Sequence, residues 1–451
     1  MTELPPAEPN SLWHLSSLPA LFTDFGYYQH SSYRVTWQLL ERIEVSLELE
    51  LDNGYVTIPI SEELDIFLDV GTWIAASYPL TQGAFVVAGG RFGAIFGYKR
   101  TFVCAAAWWV LWSLISGFIR NIIGLSFARG LTGIGAAFMV PNAVALININ
   151  LPPGKGRNVA MGLFGAMAPI GAAGGSLFFF LAMLGAVVIG ISAFIVPSDK
   201  AIHRDDGSID WLDAYLGIGG LILFNFVWNQ APSVGWKELY EYSLLIVSVL
   251  YLIGLVLWEK YWAKDPILPF DIWEAPSFPA VILVSLMAFM SFGVLLWYIA
   301  LWLLTIRHWT LLLTSAAIVP LTVFGAVAAI QAAWLIPHLA AQYVLAIGLI
   351  CVIASSILLF PAALLVAFCP DFIFTAAQII ASNSSIGLGF AGTVEKYTTE
   401  GGEGLVQGYR NALYFGIGLG VAALVLNIFF VRVEADKREG WEKEGQDNVI
   451  P

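Results

Sequence analysis

Two ionisable side chains stand inside long apolar runs. Arg129 interrupts "IIGLSFARGLTGIGAAFMVPNAVALI", residues 122–147, and Asp371 follows Pro370 in "LLVAFCPDFIFTAAQ". A charge surrounded by apolar solvent is expensive unless it faces a cavity or a partner, which makes Arg129 a functional candidate. Snorkelling to an interface is the weaker alternative, because Arg129 lies several residues inside its run. Gln82, Asn142 or a backbone carbonyl could supply its partner. Asp371 reads equally as a proton site and as a cap at a helix start. Other chemistry has little support. Cys104, Cys351 and Cys369 lie in apolar runs without metal spacing and are expected to be buried, inert thiols. His203, His308 and His338 are scattered. No nucleophile triad, phosphate loop or ATP-binding signature occurs. The pattern therefore argues against an enzyme, and it calls for no cofactor and no metal.

The elements that hold these residues follow from composition. The chain has 451 residues, is 58% hydrophobic and only 12% charged. Soluble domains carry about 25% charge, so a water-soluble core does not account for this sequence. Apolar runs of near twenty residues recur, as in a helical membrane protein with many spans. Candidate spans lie at about 71–90, 101–119, 122–147, 212–229, 243–258, 278–297, 312–335, 342–360, 362–382 and 411–432. The run from 159 to 196 would reach nearly 57 Å as one helix, at about 1.5 Å per residue, and is read as two spans breaking near Gly174–Phe178. The fold class is then all-α, a polytopic bundle of about 11–12 spans. Residues 1–69 are acidic and polar, and the polar stretch 385–410 leaves room for a hidden crossing.

Positive charge alternates along the chain. Arg91, Lys99 and Arg100 fill one short loop, Lys155 and Arg157 the loop two spans later, and Lys200 and Arg204 the next but one. This pattern puts those loops in the cytosol. Strict alternation would put the tail after Val431 outside, whereas Lys437, Arg438 and Lys443 favour the inside. The net charge of -12 comes largely from the fringes and argues against a nucleic-acid partner.

Anchoring explains the lysines and arginines of "GGRFGAIFGYKR" (Gly89–Arg100), but not its four glycines. Glycine permits tight turns and close helix approach. The segment resembles the signature loop between helices two and three of the major facilitator superfamily, with Gly90, Gly97, Lys99 and Arg100 matching. Ala94 occupies the family's acidic position, which removes the carboxylate that would latch one conformation. "WIAASYPLTQGAF" (Trp73–Phe85) resembles the second helix of fungal fourteen-helix drug:proton antiporters. "ARGLTGIGAAFMVPNA" (Ala128–Ala143) is similar to their fourth-helix motif through Arg129, Gly133 and Gly135. "GLFGAMAPIGAAGGSL" (Gly162–Leu177) is similar to their antiporter motif through Pro169, Gly171, Gly174 and Gly175, the last two displaced by two positions. "WNQAP" (Trp228–Pro232) and "GFAGTVEKYT" (Gly389–Thr398) also resemble that branch. The likeness spans about residues 70–435. Against it, a first helix before Trp73 and a thirteenth between Ser384 and Gly389 are missing from the sequence pattern.

The resemblance implies a secondary transporter that exports small organic molecules or drugs in exchange for protons, with Arg129 in proton coupling. An acidic segment (1–69) precedes a first bundle (70–196), two linking helices (197–276), an incomplete second bundle (277–432) and a charged cytosolic tail (433–451). The expected partners are a small-molecule substrate, protons and the lipid bilayer. The plasma membrane is the expected location, with the vacuolar membrane as the alternative. Asn225, Trp228, Asn229 and Gln230 cluster at one helix end and either line a substrate path or join an interfacial belt. The rival function is a non-transporting sensor or remnant, which Ala94 favours. Topology gives the first test. Cysteines placed at Lys99 and Lys155 should escape labelling by a membrane-impermeant maleimide added outside intact cells, and labelling of either would reverse the assignment.

Overall fold

The computed structural model describes residues 68–174, 210–263, 277–310, 338–358, 384–399 and 404–432, with scattered positions at 185, 190 and 313–335. The helices are α1 (Leu68–Phe96), α2 (Tyr98–Ser116), α3 (Ile122–Asn150), α4 (Lys155–Gly174), α5 (Trp211–Val234), α6 (Leu239–Tyr261), α7 (Phe278–Leu301), α8 (Ala341–Leu358), α9 (Ser384–Thr398) and α10 (Leu405–Phe430). A π-turn, Trp302–Ile306, extends α7. No strand occurs among the described residues. Five of the described segments are long and apolar enough to cross a membrane by length and composition: α3, α5, α6, α7 with its π-turn, and α10. Most of the candidate spans at 312–335 and 362–382 lies outside the described residues, as do residues 1–67 and those after Arg432. The helix through the 159–196 run is described as far as Gly174, where the sequence pattern expects a break.

Small residues set the first group of helices. Gly133 of α3 lies against the Tyr78 carbonyl and Thr81 of α1, where any Cβ would collide. Gly135, on the opposite side of α3, leaves room for α2: a Cβ there would sit 2.9 Å from Trp109 Cβ and 3.1 Å from the Ala105 carbonyl oxygen. One helix thus packs closely on two neighbours, because backbones approach where side chains are absent. Thr81 Oγ1 donates to the Gly130 carbonyl at 2.6 Å and ties α1 to α3 again. Trp109, Phe102, Tyr78, Met139, Ile147 and Phe164 fill the space between α1, α2, α3 and α4. At the start of α3, the Asn121 side chain accepts from Gly124 N at 2.6 Å and satisfies one of the free amides of the first turn.

In the second group, α10 packs against α7, α8 and α9. Ser291 Oγ of α7 donates to the Gly416 carbonyl at 2.7 Å, and a Cβ on Gly420 would lie 3.2 Å from the same Oγ. Asn427 Nδ2 donates to the Gln342 carbonyl of α8 at 2.8 Å.

Between the two groups stands α5. It packs on α1 and α9 as well as on its hairpin partner α6. Trp73 of α1 donates to Gln230 Oε1 at 2.8 Å, and the ring of Trp211 meets Phe92 at 6.1 Å. Against α9, Trp228 stacks on Phe390 with ring centroids 3.8 Å apart. The Trp228 carbonyl occupies the space a side chain on Gly389 would need. Most of α6 away from α5 presents exposed apolar residues such as Ile246, Leu250 and Ile253, as a lipid-facing helix does.

Two expectations change here, and one junction is added. The loop drawn at Gly89–Arg100 shrinks to the single residue Gly97, because α1 continues to Phe96. Helix α9 begins at Ser384, where the thirteenth helix looked missing, and lies in the stretch 385–410 where the sequence left a hidden crossing open; at 15 residues it is not among the five segments long and apolar enough to span. Its Glu395 and Lys396 find partners on other helices, Tyr298 Oη at 2.7 Å and the Ser233 carbonyl at 3.0 Å. Finally, Arg432 N donates to Ser277 Oγ at 2.8 Å, so the end of α10 meets the start of α7.

The contact of α5 with α9 can be tested by adding one methyl group. Gly389→Ala should lower stability by about 1–3 kcal/mol, because its Cβ must displace backbone. Gly418→Ala on α10 meets nothing within 4 Å and should be neutral or slightly stabilising. Thermal unfolding of the two purified variants in the same detergent checks the difference.

Candidate functional site

Arg129 lies on α3 where the helix crosses the first half of α1. It is 1% exposed. Its Nε donates to the Ile74 carbonyl of α1 at 2.7 Å, and its guanidinium carbon lies 5.7 Å from the centre of the Tyr78 ring. Ile74 and Tyr78 are one turn apart on α1, so a carbonyl and an aromatic face approach the same cation. A guanidinium stays protonated at any accessible pH, and its weak hydration suits it to such burial. It can hold a fixed positive charge beside a transport path, but it cannot itself take up and release a proton.

One partner of Arg129 is therefore the backbone carbonyl of Ile74. Gln82 is half-buried one turn beyond Tyr78 on α1. Asn142 is fully buried towards the other end of α3, where its Nδ2 donates to the Gly89 carbonyl at 3.0 Å and to the Phe138 carbonyl at 2.6 Å. It belongs to the glycine-rich end of α1, packed on Gly93, and not to the surroundings of Arg129.

At that end Gly97 has φ 98°, a backbone region that L side chains rarely adopt, and it turns α1 directly into α2. Gly90 makes an ordinary contact with Pro141, at 3.5 Å from the position of a Cβ. Lys99 is half-buried and Arg100 exposed. Arg157 does more than mark topology: its Nε donates to the Leu151 carbonyl at 2.9 Å and its Nη2 to Asn148 at 3.0 Å, which satisfies the last carbonyls of α3. Pro169, Gly171 and Gly174 lie within α4, but their surroundings fall outside the described residues, as do Gly175 and Asp371 entirely.

The polar cluster near the end of α5 divides. Asn225 and Asn229 donate along their own helix, to the Leu221 carbonyl at 3.0 Å and the Asn225 carbonyl at 2.9 Å. Trp228 faces α9 and Gln230 faces Trp73 of α1. These residues join helices. Asp210, and not Asp213, caps α5: its Oδ1 accepts from Leu212 N and Asp213 N at 3.1 Å, and its Oδ2 accepts from Trp258 Nε1 at 2.8 Å. Cys104 is exposed rather than buried, on the outer side of α2. Among the described residues no group of three or more His, Cys, Asp or Glu could hold a metal.

One polar residue was missed by the sequence argument. Glu395 of α9 accepts from Tyr298 of α7 and lies beside Tyr409 of α10. Its signal was present as a charge beyond the helix-spaced small residues of "GLGFAGTVEKYT", in a polar stretch whose partners the sequence does not show.

Comparison with known proteins agrees with this architecture. Residues 53–423 match the Major Facilitator Superfamily. An uncharacterised MFS-type transporter of Schizosaccharomyces pombe is 34% identical over 415 residues, which cover 79% of each chain. The low affinity ammonium transporter of Saccharomyces cerevisiae is 33% identical over 408 residues, 77% of this chain and 78% of that one. The efflux pump TerJ of Aspergillus terreus is 28% identical over 422 residues, 81% of each. Among solved structures, a human organic anion transporter superposes with a TM-score of 0.57 at 13% identity, covering 88% of this chain and 99% of that one. The helical bundle, its glycine contacts and these matches together place the chain in the Major Facilitator Superfamily, as an integral membrane transporter.

Proposed function

We propose that this protein exports small organic molecules across the plasma membrane in exchange for protons. The observation that carries the reading is the fully buried Arg129, held by the Ile74 carbonyl and the Tyr78 ring at the contact of α1 with α3. Burial of a cation in this setting is costly, and a charge kept there suits a role in the transport cycle. Residues 70–196 and 277–432 act as two bundles that rock about a site between them, with 197–276 supplying linking helices. Gly97 and the glycines of α3 give close, low-friction contacts for that motion. Efflux pumps among the relatives support export. The aromatic content, with 17 Trp and 30 Phe, fits an apolar or aromatic cargo. A second reading, a member that no longer transports, draws on Ala94 at the acidic position of the loop motif.

Vesicles decide between them. Aminotriazole is the first substrate to try, since a 29% identical yeast relative is named for resistance to it. A pH gradient should drive its uptake into inside-out vesicles containing the wild-type protein. Arg129→Ala should abolish that uptake at matched abundance, and Arg129→Lys should restore only part of it, because an ammonium lacks the planar fork of the guanidinium. Equal uptake by the Ala variant would remove Arg129 from coupling. Equal uptake by Lys and Arg would favour a charge that merely reaches an interface.

A further inference from the structure

Two segments that resemble the antiporter branch, Trp228–Pro232 and Gly389–Thr398, lie 160 positions apart and meet face to face. Their contact runs along the last turns of α5 and the middle of α9. The Trp228 carbonyl fills the space of a Gly389 side chain, and the Trp228 ring stacks on Phe390. One turn further, a Cβ at Gly392 would lie 3.2 Å from Pro232 Cβ. At the tip, Lys396 Nζ donates to the Ser233 carbonyl at 3.0 Å. Two glycines on one helix and a tryptophan on the other make a seam in which backbone approaches backbone. Beyond it, Phe390 packs on Phe415 of α10 with centroids 5.8 Å apart, so α9 is held in the second group.

The other side of α5 is fastened differently. Trp211 meets Phe92 of α1 near Gly97. Nearly the full length of α5 away, Trp73 packs on Phe226 with centroids 5.1 Å apart and donates to Gln230 Oε1 at 2.8 Å. Two attachments so far apart hold α5 to α1 as one body. The indoles on the two sides of α5 also contrast. Trp73 Nε1 is bonded, whereas Trp228 Nε1 is buried in the seam and meets no acceptor. A buried donor left without an acceptor costs free energy, which water returns once the seam parts. Lys396 is half-buried at the tip, where water can replace the Ser233 carbonyl. The seam with α9 is therefore tight when closed and open to rehydration when parted, and the contact with α1 is bonded and long.

We propose that this seam is the outer gate: α5 travels with α1 and the first group, and Trp228 leaves Gly389 and Phe390 when the path opens to the outside. This rests on the transporter reading above and adds to it the contact that closes one end. The basic residues around Gly97 favour the cytosol for that end of α1, and the seam lies at the opposite end of α5. Ring stacking and buried apolar surface hold the gate shut in this structure. The linking helix α5 is then a moving part of the cycle rather than a tether between bundles.

A reversible bridge across the seam tests this in the full-length protein with Cys104, Cys351 and Cys369 replaced by serine. Pro232→Cys with Gly392→Cys needs only a small shift, since the Cβ atoms of a disulfide lie about 3.5–4.5 Å apart. Oxidation in vesicles should close the bridge and abolish pH-driven uptake, and dithiothreitol should restore it. A second pair, Val294→Cys with Gly416→Cys, joins α7 to α10 inside the second group, where a Cβ at Gly416 would lie 3.4 Å from Val294 Cβ. Its oxidation should leave uptake unchanged. Full uptake with the seam bridged, failure of the bridge to form, or equal arrest by both pairs would overturn the gate. Spin labels give a readout that needs no substrate. They are placed at Ile123→Cys, 80% exposed in the first turn of α3, and at Tyr397→Cys, 57% exposed near the end of α9. Pulsed dipolar spectroscopy should show a short and a long distance, and Gly389→Ala, whose Cβ must displace the Trp228 carbonyl, should enrich the long one. Distances that Gly389→Ala leaves unchanged remove the gate and leave the transporter reading standing. A wild-type protein that takes up nothing removes that reading, and the spin-label distances then decide the gate alone.

Discussion

Everything in the first half of this molecule depends on how closely α1 and α3 approach. Arg129 can reach the Ile74 carbonyl only because Gly133, one turn further along α3, lets the two backbones touch. A larger residue there would separate the helices and leave a guanidinium in apolar surroundings without its carbonyl. A buried charge deprived of its partner costs far more than the pair contributes, so the packing and the charge constrain each other. The same helix then uses Gly135 to seat Trp109 of α2, and Asn142 to hold the end of α1 through the Gly89 carbonyl.

Polar groups elsewhere follow the same rule. Thr81, Ser291, Asn427, Gln230 and Glu395 lie in apolar helices, and each is bonded to a neighbouring helix. Lipid offers no hydrogen bonds, so such a side chain is stable only where another helix supplies one. Each of these bonds fixes a pair of helices as well as satisfying an atom. The contacts of α5 are the most consequential, because that helix touches both α1 and α9 and so joins the two groups.

Helix existence was legible from the chain alone, since it rests on local apolar length; the caps at Asn121 and Asp210 appear only in the structure. Arg129 was legible for the same reason: one charge in a run of apolar residues is visible without a structure. Glycines at helical spacing announced close packing, and Gly97 announced a turn. What they packed against was not legible. The partner of Arg129 lies 55 positions earlier in the chain, and sequence offered Gln82, Asn142 and a carbonyl as equals. Only the crossing of α1 over α3 selects Ile74.

Tertiary structure alone decided the place of Glu395. Read along the chain, Glu395 and Lys396 lower the hydropathy of their segment and give no hint of their partners. Their costs are met by Tyr298, 97 positions away, and by the Ser233 carbonyl, 163 positions away. Likewise, the bond between Arg432 and Ser277, 155 positions apart, joins the end of α10 to the start of α7. Apolar periodicity is a local property that a sequence states directly. The neutralisation of a polar group is a property of whatever stands across from it, and that is fixed only when the helices assemble.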